Sequence, residues 1–343
     1  MKAIELTETG GPEVMHLREI PTPIPQESEV LIRVAVTGVN FIDLYVQEGR
    51  YGNELPFTPG QEAAGTVVAV GKSVSHLQEG DRVAWCSVLG TYAEYAVAPA
   101  ERVVPIPIGV TFEQAAAALL QGMTAHYLSH SAYPIQPGDE VLIHAGAGGT
   151  GLLLTQFAKS RGARVLTTVS NEEKAELSYQ AGADDVVVYT KFDFAAEVKR
   201  LTQRRGLAAV YDSIGKSTFE QSLTCLKARG TFVLYGSASG DVPPFDLMKL
   251  ASLGSLYVTR PILRDYTLTR AELLDRATEV FQAVVSGTLK LRMERTYSLG
   301  EAAQAHRDLE SRKTTGKLLL FHEPTGHESI LTESRTQPGE MQA

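Results

Sequence analysis

The chain has 343 residues, 43% of them hydrophobic and 21% charged, with a formal net charge of −8, the profile of a globular protein of about two domains. The acidic balance excludes the electrostatic footprint of a nucleic-acid binder, and the longest purely apolar run, residues 115–120, is too short to span a membrane. Only two cysteines, Cys86 and Cys225, occur, and the first residues form neither a secretory signal nor a transit peptide, so a cytoplasmic protein without a disulfide framework is expected.

Residues 1–120 read as short β runs, at 30–36, 65–70 and 82–86, each bounded by turn residues. Pro21, Pro23, Pro25, Pro105 and Pro107 break any helix there, which gives an irregular, barrel-like β domain. The rhythm then changes. Strands at 140–145, 164–169 and 185–189 alternate with helices at 150–161 and 172–180; further strands fall at 208–211, 231–235 and 255–259, with a helix at 218–228. Such alternation indicates βαβ units, a parallel sheet and right-handed crossovers. Past Pro261, a helix at 270–286 shows Leu273, Leu274, Ala277, Val280, Phe281 and Val284 on one side. A helix at 301–310 and a strand at 317–321 follow. Residues 322–343 are polar and aperiodic and read as a disordered tail.

Directly after the strand at 140–145 stands Gly146-Ala147-Gly148-Gly149-Thr150-Gly151, a G-x-G-x-x-G loop in the strand-to-helix context that a dinucleotide-binding site requires. The first glycine makes the tight turn, the second lets a pyrophosphate approach the backbone, and the third allows close helix–strand packing. The helix N-terminus offers unpaired N–H groups to the phosphates. An NAD-type site places a carboxylate about 20 residues further on; the position here is Ser170. Its absence removes repulsion against a 2′-phosphate, for which Lys174 and Tyr189 are candidate partners, so NADPH is the expected cofactor. Ser170 also reads as a helix N-cap paired with Glu173, leaving Lys174 a solvated helix residue.

Two separated cysteines cannot supply a thiolate zinc lobe. His126 and His130 are four residues apart, but no Glu stands beside them in the H-E-x-x-H sense, and the pair reads as helix surface or core. No G-x-S-x-G nucleophile elbow is present. No metal site is expected.

The motifs together resemble the zinc-free quinone oxidoreductase (zeta-crystallin-like) branch of the medium-chain dehydrogenase/reductase superfamily. The resemblance covers residues 1–321. It rests on the segments 38–43 (GVNFID), 59–65 (PGQEAAG), 80–83 (GDRV), 121–125 (QGMTA), the glycine loop and 254–261 (GSLYVTRP). It implies an α/β protein with a Rossmann doubly wound parallel sheet and a β-rich GroES-like catalytic domain. The catalytic domain would comprise residues 1–122, completed by 262–321, around a nucleotide-binding domain of residues 123–261. Zinc-dependent relatives carry a cysteine in the segment matching 38–43 and a histidine where this chain has Gln61, so alcohol dehydrogenase chemistry is not expected.

Carried over by position, the resemblance implies that Asn40 and Tyr45 face the nicotinamide, with Tyr51 guarding the substrate cleft. Thr124, Gly146, Gly148, Gly149, Thr150 and Gly151 would hold the cofactor near the junction and pyrophosphate. Ser170, Lys174 and Tyr189 would take the 2′-phosphate, and Tyr235, Gly236, Ser237, Val258, Arg260 and Lys317 would lie along the cofactor. Tyr45 and Tyr51 are also readable as packing aromatics. The implied activity is reduction of a small-molecule quinone by a homodimer. An enoyl or alkenal double-bond reductase and a non-catalytic NADPH-binding protein are the alternatives.

Overall fold

A computed structural model describes residues 1–322; the tail expected over 322–343 lies, apart from His322, outside the described residues. The chain opens with β1 (Lys2–Glu5), β2 (His16–Glu19) and β3 (Glu29–Val39). Next come α1 (Phe41–Gln47), β4 (Glu62–Val70), β5 (Arg82–Cys86), β6 (Tyr95–Pro99), β7 (Val103–Pro105) and α2 (Phe112–Tyr127). Alternating units follow: β8 (Glu140–His144), α3 (Gly149–Ser160), β9 (Arg164–Val169), α4 (Glu172–Gln180), β10 (Asp185–Val188) and α5 (Phe194–Leu201). They continue through β11 (Leu207–Asp212), α6 (Phe219–Leu223), β12 (Leu226–Leu234), α7 (Met248–Ser252) and β13 (Tyr257–Thr259). The last described elements are α8 (Arg270–Val285), β14 (Met293–Ser298), α9 (Ala302–Glu310) and β15 (Lys317–Phe321).

The alternating part forms a six-stranded sheet in the order β10-β9-β8-β11-β12-β13, with every pairing parallel. The order reverses beside β8, so the crevice past its carboxyl end is the natural ligand site of a doubly wound sheet. The first and last parts share a second sheet, β14-β15-β3-β4-β5-β7, with β6 also on β3. β15 inserts between β14 and β3, so the C-terminal segment completes the N-terminal domain.

The helix α2 joins the two bodies and passes through residue 122. Sequence periodicity does not reveal it, because Ala115 to Leu119 are all buried and an all-round apolar helix has no polar stripe. Thr111 and Gln114 form its capping box, and four consecutive alanines favour the helical backbone. The helix packs on the barrel through Val36 and Ala64, on α8 of the C-terminal segment through Val280, and on the other body through Leu153, all in one core cluster.

Several element ends differ from the sequence reading, among them β3, which runs on to Val39, and β4, which begins at Glu62. The helix expected at 218–228 ends at Leu223, because Leu226 already pairs with Leu207 to begin β12. For the same reason β12 starts five residues before the expected strand. The strand expected from residue 255 starts at Tyr257, since Gly254 and Ser255 turn at φ of 114° and 57°.

Candidate active site

A cleft of about 540 Å³ lies between the two bodies. From the Rossmann side it is lined by Gly148, Gly149, Thr150 and Gly151, and by Tyr235, Gly236 and Arg260. From the barrel side come Asn40, Tyr45 and Tyr51, with Gln121, Thr124 and Tyr127 contributed by α2. Eleven of the residues expected at the site are thereby brought together. Ser237 stands at its margin, where its N–H donates to the Tyr45 hydroxyl at 3.3 Å. Arg50 lies 4.6 Å over the Tyr45 ring and holds it in place. Tyr51 is 56% exposed, at the mouth.

The glycines of the loop are required by space rather than by backbone angle. The left-handed residue of the turn is Ala145, at φ 54°, and not Gly146. A Cβ on Gly146 would meet Thr167 and Ser178 at 2.5 and 2.6 Å, and one on Gly151 would meet the Ala145 carbonyl oxygen at 2.3 Å. At Gly149 it would strike the Gln121 side chain at 2.1 Å. Gly148 caps α3 without any side-chain hydrogen bond, so the helix start presents its N–H groups and positive dipole end to the cleft. That is a cradle for a phosphate. Gly146 itself lies behind the cleft wall.

Beyond the cleft lie the carboxyl end of β9 and the start of α4, none of whose residues lines it. Asn171, not Ser170, caps α4: its Oδ1 accepts the Lys174 N–H at 2.9 Å. The box expected between Ser170 and Glu173 is therefore replaced by an Asx cap one residue on, which frees the Ser170 side chain. Lys174 Nζ donates to the Arg312 carbonyl at 2.5 Å, and burial pulls its ammonium pKa down. The Arg312 guanidinium in turn donates to the Ala238 carbonyl. Tyr189 is half-exposed on the adjoining strand end. Ser170 past the end of β9, Lys174 in the first turn of α4 and Tyr189 past the end of β10 all stand outside the main cleft, with no carboxylate at the end of β9. Val258 lies on β13, the outer strand of the sheet, and is 41% exposed.

Beneath the barrel wall lies a group that sequence reasoning did not assemble. Lys317, expected along the cofactor, is 2% exposed and its Nζ donates to Asn40 Oδ1 at 2.7 Å and to Glu62 Oε2. Glu62 Oε2 also accepts Asn40 Nδ2 at 2.8 Å, and Oε1 accepts the Leu120 N–H at 2.6 Å. Gln121 Nε2 donates to Asn40 Oδ1 at 3.3 Å, and Asn40 Nδ2 donates to the Gly38 carbonyl at 3.2 Å. Both polar atoms of the Asn40 amide are engaged within the protein, so this side chain is a fixed wall, with Lys317 behind it. The one signal for Glu62 in the sequence is a carboxylate heading an apolar strand.

Asp43 anchors the same corner. Its Oδ2 accepts the Asn40 N–H at 2.8 Å, while Oδ1, also buried, has no partner. Gln47 Nε2 donates to the Gly10 carbonyl, so its Oε1 accepts from His306 Nδ1 at 2.6 Å. His306 Nε2 must then accept the Tyr92 hydroxyl proton at 2.8 Å, which leaves no proton for Tyr92 to share with Asp43, 3.3 Å away. Burial pushes the Asp43 carboxyl up to about 7, and the contact to Tyr92 suits a protonated acid.

Residues 26–108 match the family model of the alcohol dehydrogenase GroES-like domain, and residues 149–279 that of the zinc-binding dehydrogenases. The chain is 41% identical over 322 residues to quinone oxidoreductase 1 of Escherichia coli, covering 93% of this chain and 98% of that one. It is 38% identical over 327 residues to a 2-haloacrylate reductase from a Burkholderia species, covering 93% and 98%. A solved mycobacterial structure in complex with NADPH shares 49% identity at a TM-score of 0.91, covering 94% of this chain and all of that one. The Escherichia coli quinone oxidoreductase complexed with NADPH shares 41% at 0.92, with the same coverages.

Proposed function

This chain belongs to the quinone oxidoreductases of the medium-chain dehydrogenase/reductase superfamily, and we infer from that membership and from the cleft that it is an NADPH-dependent quinone reductase. The observation that carries the reading is the composition of the cleft. Among the described residues that line it there is no Asp, Glu, His, Lys or Cys. An acceptor whose reduction leaves a stabilised phenolate-type anion needs no protein acid, because solvent can supply the proton; a quinone meets that condition.

The cofactor fits the groove. Gly148, Gly149 and Thr150 at the uncapped start of α3 would hold the pyrophosphate, and Ser170, Lys174 and Tyr189 the 2′-phosphate. When bound, NADPH supplies the hydride. The chain's own part is orientation and exclusion of water. Asn40, immobilised by Lys317, Glu62 and Gln121, fixes one wall, and Tyr45, braced between Arg50 and Ser237, fixes another. Holding donor and acceptor face to face in this way is where the rate gain arises. The residues proposed for catalysis are Asn40, Tyr45 and Tyr51, with Asn40 and Tyr45 positioning the reactants. Residues 1–122 with 262–321 make the catalytic domain, and 123–261 the cofactor domain.

The 2-haloacrylate reductase relative favours one second reading, reduction of a conjugated carbon–carbon double bond. A steady-state comparison of a 1,4-quinone with an α,β-unsaturated aldehyde, following NADPH oxidation, decides between them. The quinone is expected to give the higher kcat/KM; a clear preference for the aldehyde overturns the first reading. No described helix is long and apolar enough to cross a membrane, and we place the enzyme in the cytoplasm as a homodimer. Tyr257 and Val258, 62% and 41% exposed on β13, supply an open sheet edge for such pairing. Sedimentation at twice the chain mass is the expected result.

A further inference from the structure

We propose that His126, His130 and Glu279 form a binding site for a divalent transition-metal ion, away from the catalytic cleft. Each offers a ligand atom within 4.8 Å of the others. The sequence shows only the two histidines; the third donor comes from α8. Past His126 the backbone widens into a π turn over Leu128–Ala132, which lays the His130 ring on that of His126, centroids 4.0 Å apart and planes within 9°. Phe157 meets both rings edge-on at 5.6 and 5.7 Å; since an ion must lie in the plane of each ligand ring, coordination turns the His126 ring out of this stack.

The hydrogen bonds assign the free lone pairs. His130 Nδ1 lies 3.0 Å from the His126 carbonyl oxygen, which can only accept, and 2.9 Å from Ser129 Oγ, whose proton goes to the Ala125 carbonyl at 2.8 Å, so Nδ1 carries the proton and Nε2 is a bare donor atom for a metal. A backbone carbonyl that orients a ligand ring in this way is usual for metal-binding histidines. His126 Nδ1 accepts from Arg276 at 3.1 Å, so its Nε2–H donates to Glu279 Oε2 at 2.8 Å.

The ion takes the place of the His126 Nε2 proton. That proton passes to Nδ1, and Arg276 releases the ring while keeping the Tyr266 carbonyl at 2.8 Å and the Ser131 hydroxyl at 2.9 Å. Two imidazoles and a carboxylate suit zinc, nickel or copper(II), and not magnesium or calcium. Glu279 is 60% exposed, which leaves an entry path and a position for water. The Arg276 charge sets the affinity below that of a closed structural site. An ion here would tie the junction helix α2 to α8.

The test uses the full-length, metal-stripped protein titrated with zinc chloride, read by thermal unfolding and by competition with a chromogenic chelator. Zinc is expected to raise Tm by about 3 °C or more at saturation, while magnesium leaves it unchanged. His130→Gln and Glu279→Gln, both on partly exposed side chains, are expected to keep the metal-free Tm within about 2 °C and to bind zinc at least tenfold more weakly. An unmoved Tm in the unmodified protein, or an equal shift in both variants, overturns the proposal.

Discussion

Lys317 Nζ lies 2.7 Å from Asn40 Oδ1, although the two residues are 277 positions apart in the chain. The contact joins β15 to the cap of α1, and Glu62 closes the group from β4. The cleft wall is therefore held by a buried ion pair whose partners come from the first and last parts of the described chain.

Breaking that pair strands a charge. Glu62→Gln leaves the Lys317 ammonium buried beside neutral amides, and a loss of about 3–5 kcal/mol is expected from such a one-sided deletion. The double variant Glu62→Gln/Lys317→Met removes both charges and is expected to recover part of the loss. Urea unfolding of the unmodified protein, Glu62→Gln, Lys317→Met and the double variant completes the cycle; additive losses would contradict the coupling.

Asp43 makes stability depend on pH. Its folded pKa, about 7, is raised from 3.8 by burial, so between these values the folded state binds a proton that the unfolded chain has lost. Its contribution is therefore complete below about pH 4, declines as pH rises, and is gone above about pH 7, a change on the order of 4 kcal/mol. In Asp43→Asn this slope should disappear. Unfolding free energies measured from pH 4 to 8 for both proteins provide the comparison.

Lys174→Glu replaces the cation proposed for the 2′-phosphate by a repelling carboxylate. A charge-assisted hydrogen bond contributes about 1.5–3 kcal/mol, so the NADPH KM should rise at least tenfold while that for NADH stays within about twofold. Equal losses for both cofactors would remove Lys174 from that role.

The loop glycines should differ in kind. In Gly151→Ala the new methyl meets the fixed Ala145 carbonyl at 2.3 Å, and a loss of about 1–3 kcal/mol is expected. In Gly149→Ala it meets the movable Gln121 side chain, so Tm should hold while NADPH binding weakens as Gln121 leaves Asn40. Calorimetry and fluorescence titration of each variant separate the two.

The glycine loop and the alternating strands were legible because their signals are local: spacing, period and turn residues. The missing acid at Ser170 was legible for the same reason. What escaped is what depends on chain ends meeting. The apolar stretch of α2, residues 115–120, gives no periodic signal, and Lys317, placed along the cofactor by resemblance alone, shows no local sign of its buried partners until β15 is known to lie beside β3. The cap at Asn171 differed from the reading at Ser170 by one position, which neighbouring Ser and Asn leave open, since both residues cap well. The partnership of Glu62, Asn40 and Lys317 has no sequence spacing to betray it, and neither does the approach of Glu279 to the two histidines.

The insertion of β15 between β14 and β3 also sets an order of events during synthesis. The ribosome finishes β3 early, yet its neighbour in the sheet emerges 278 residues later by position, 39 against 317, a delay of tens of seconds at ordinary elongation rates of about 5–20 residues per second. Through that interval the nascent barrel carries an open edge, and Glu62 stays hydrated without its counter-ion. The parallel sheet, whose strands are complete by Thr259, is free to form first. A nascent chain halted before Lys317 would thus hold an assembled nucleotide fold and an unfinished catalytic one, the half begun first being the last to close.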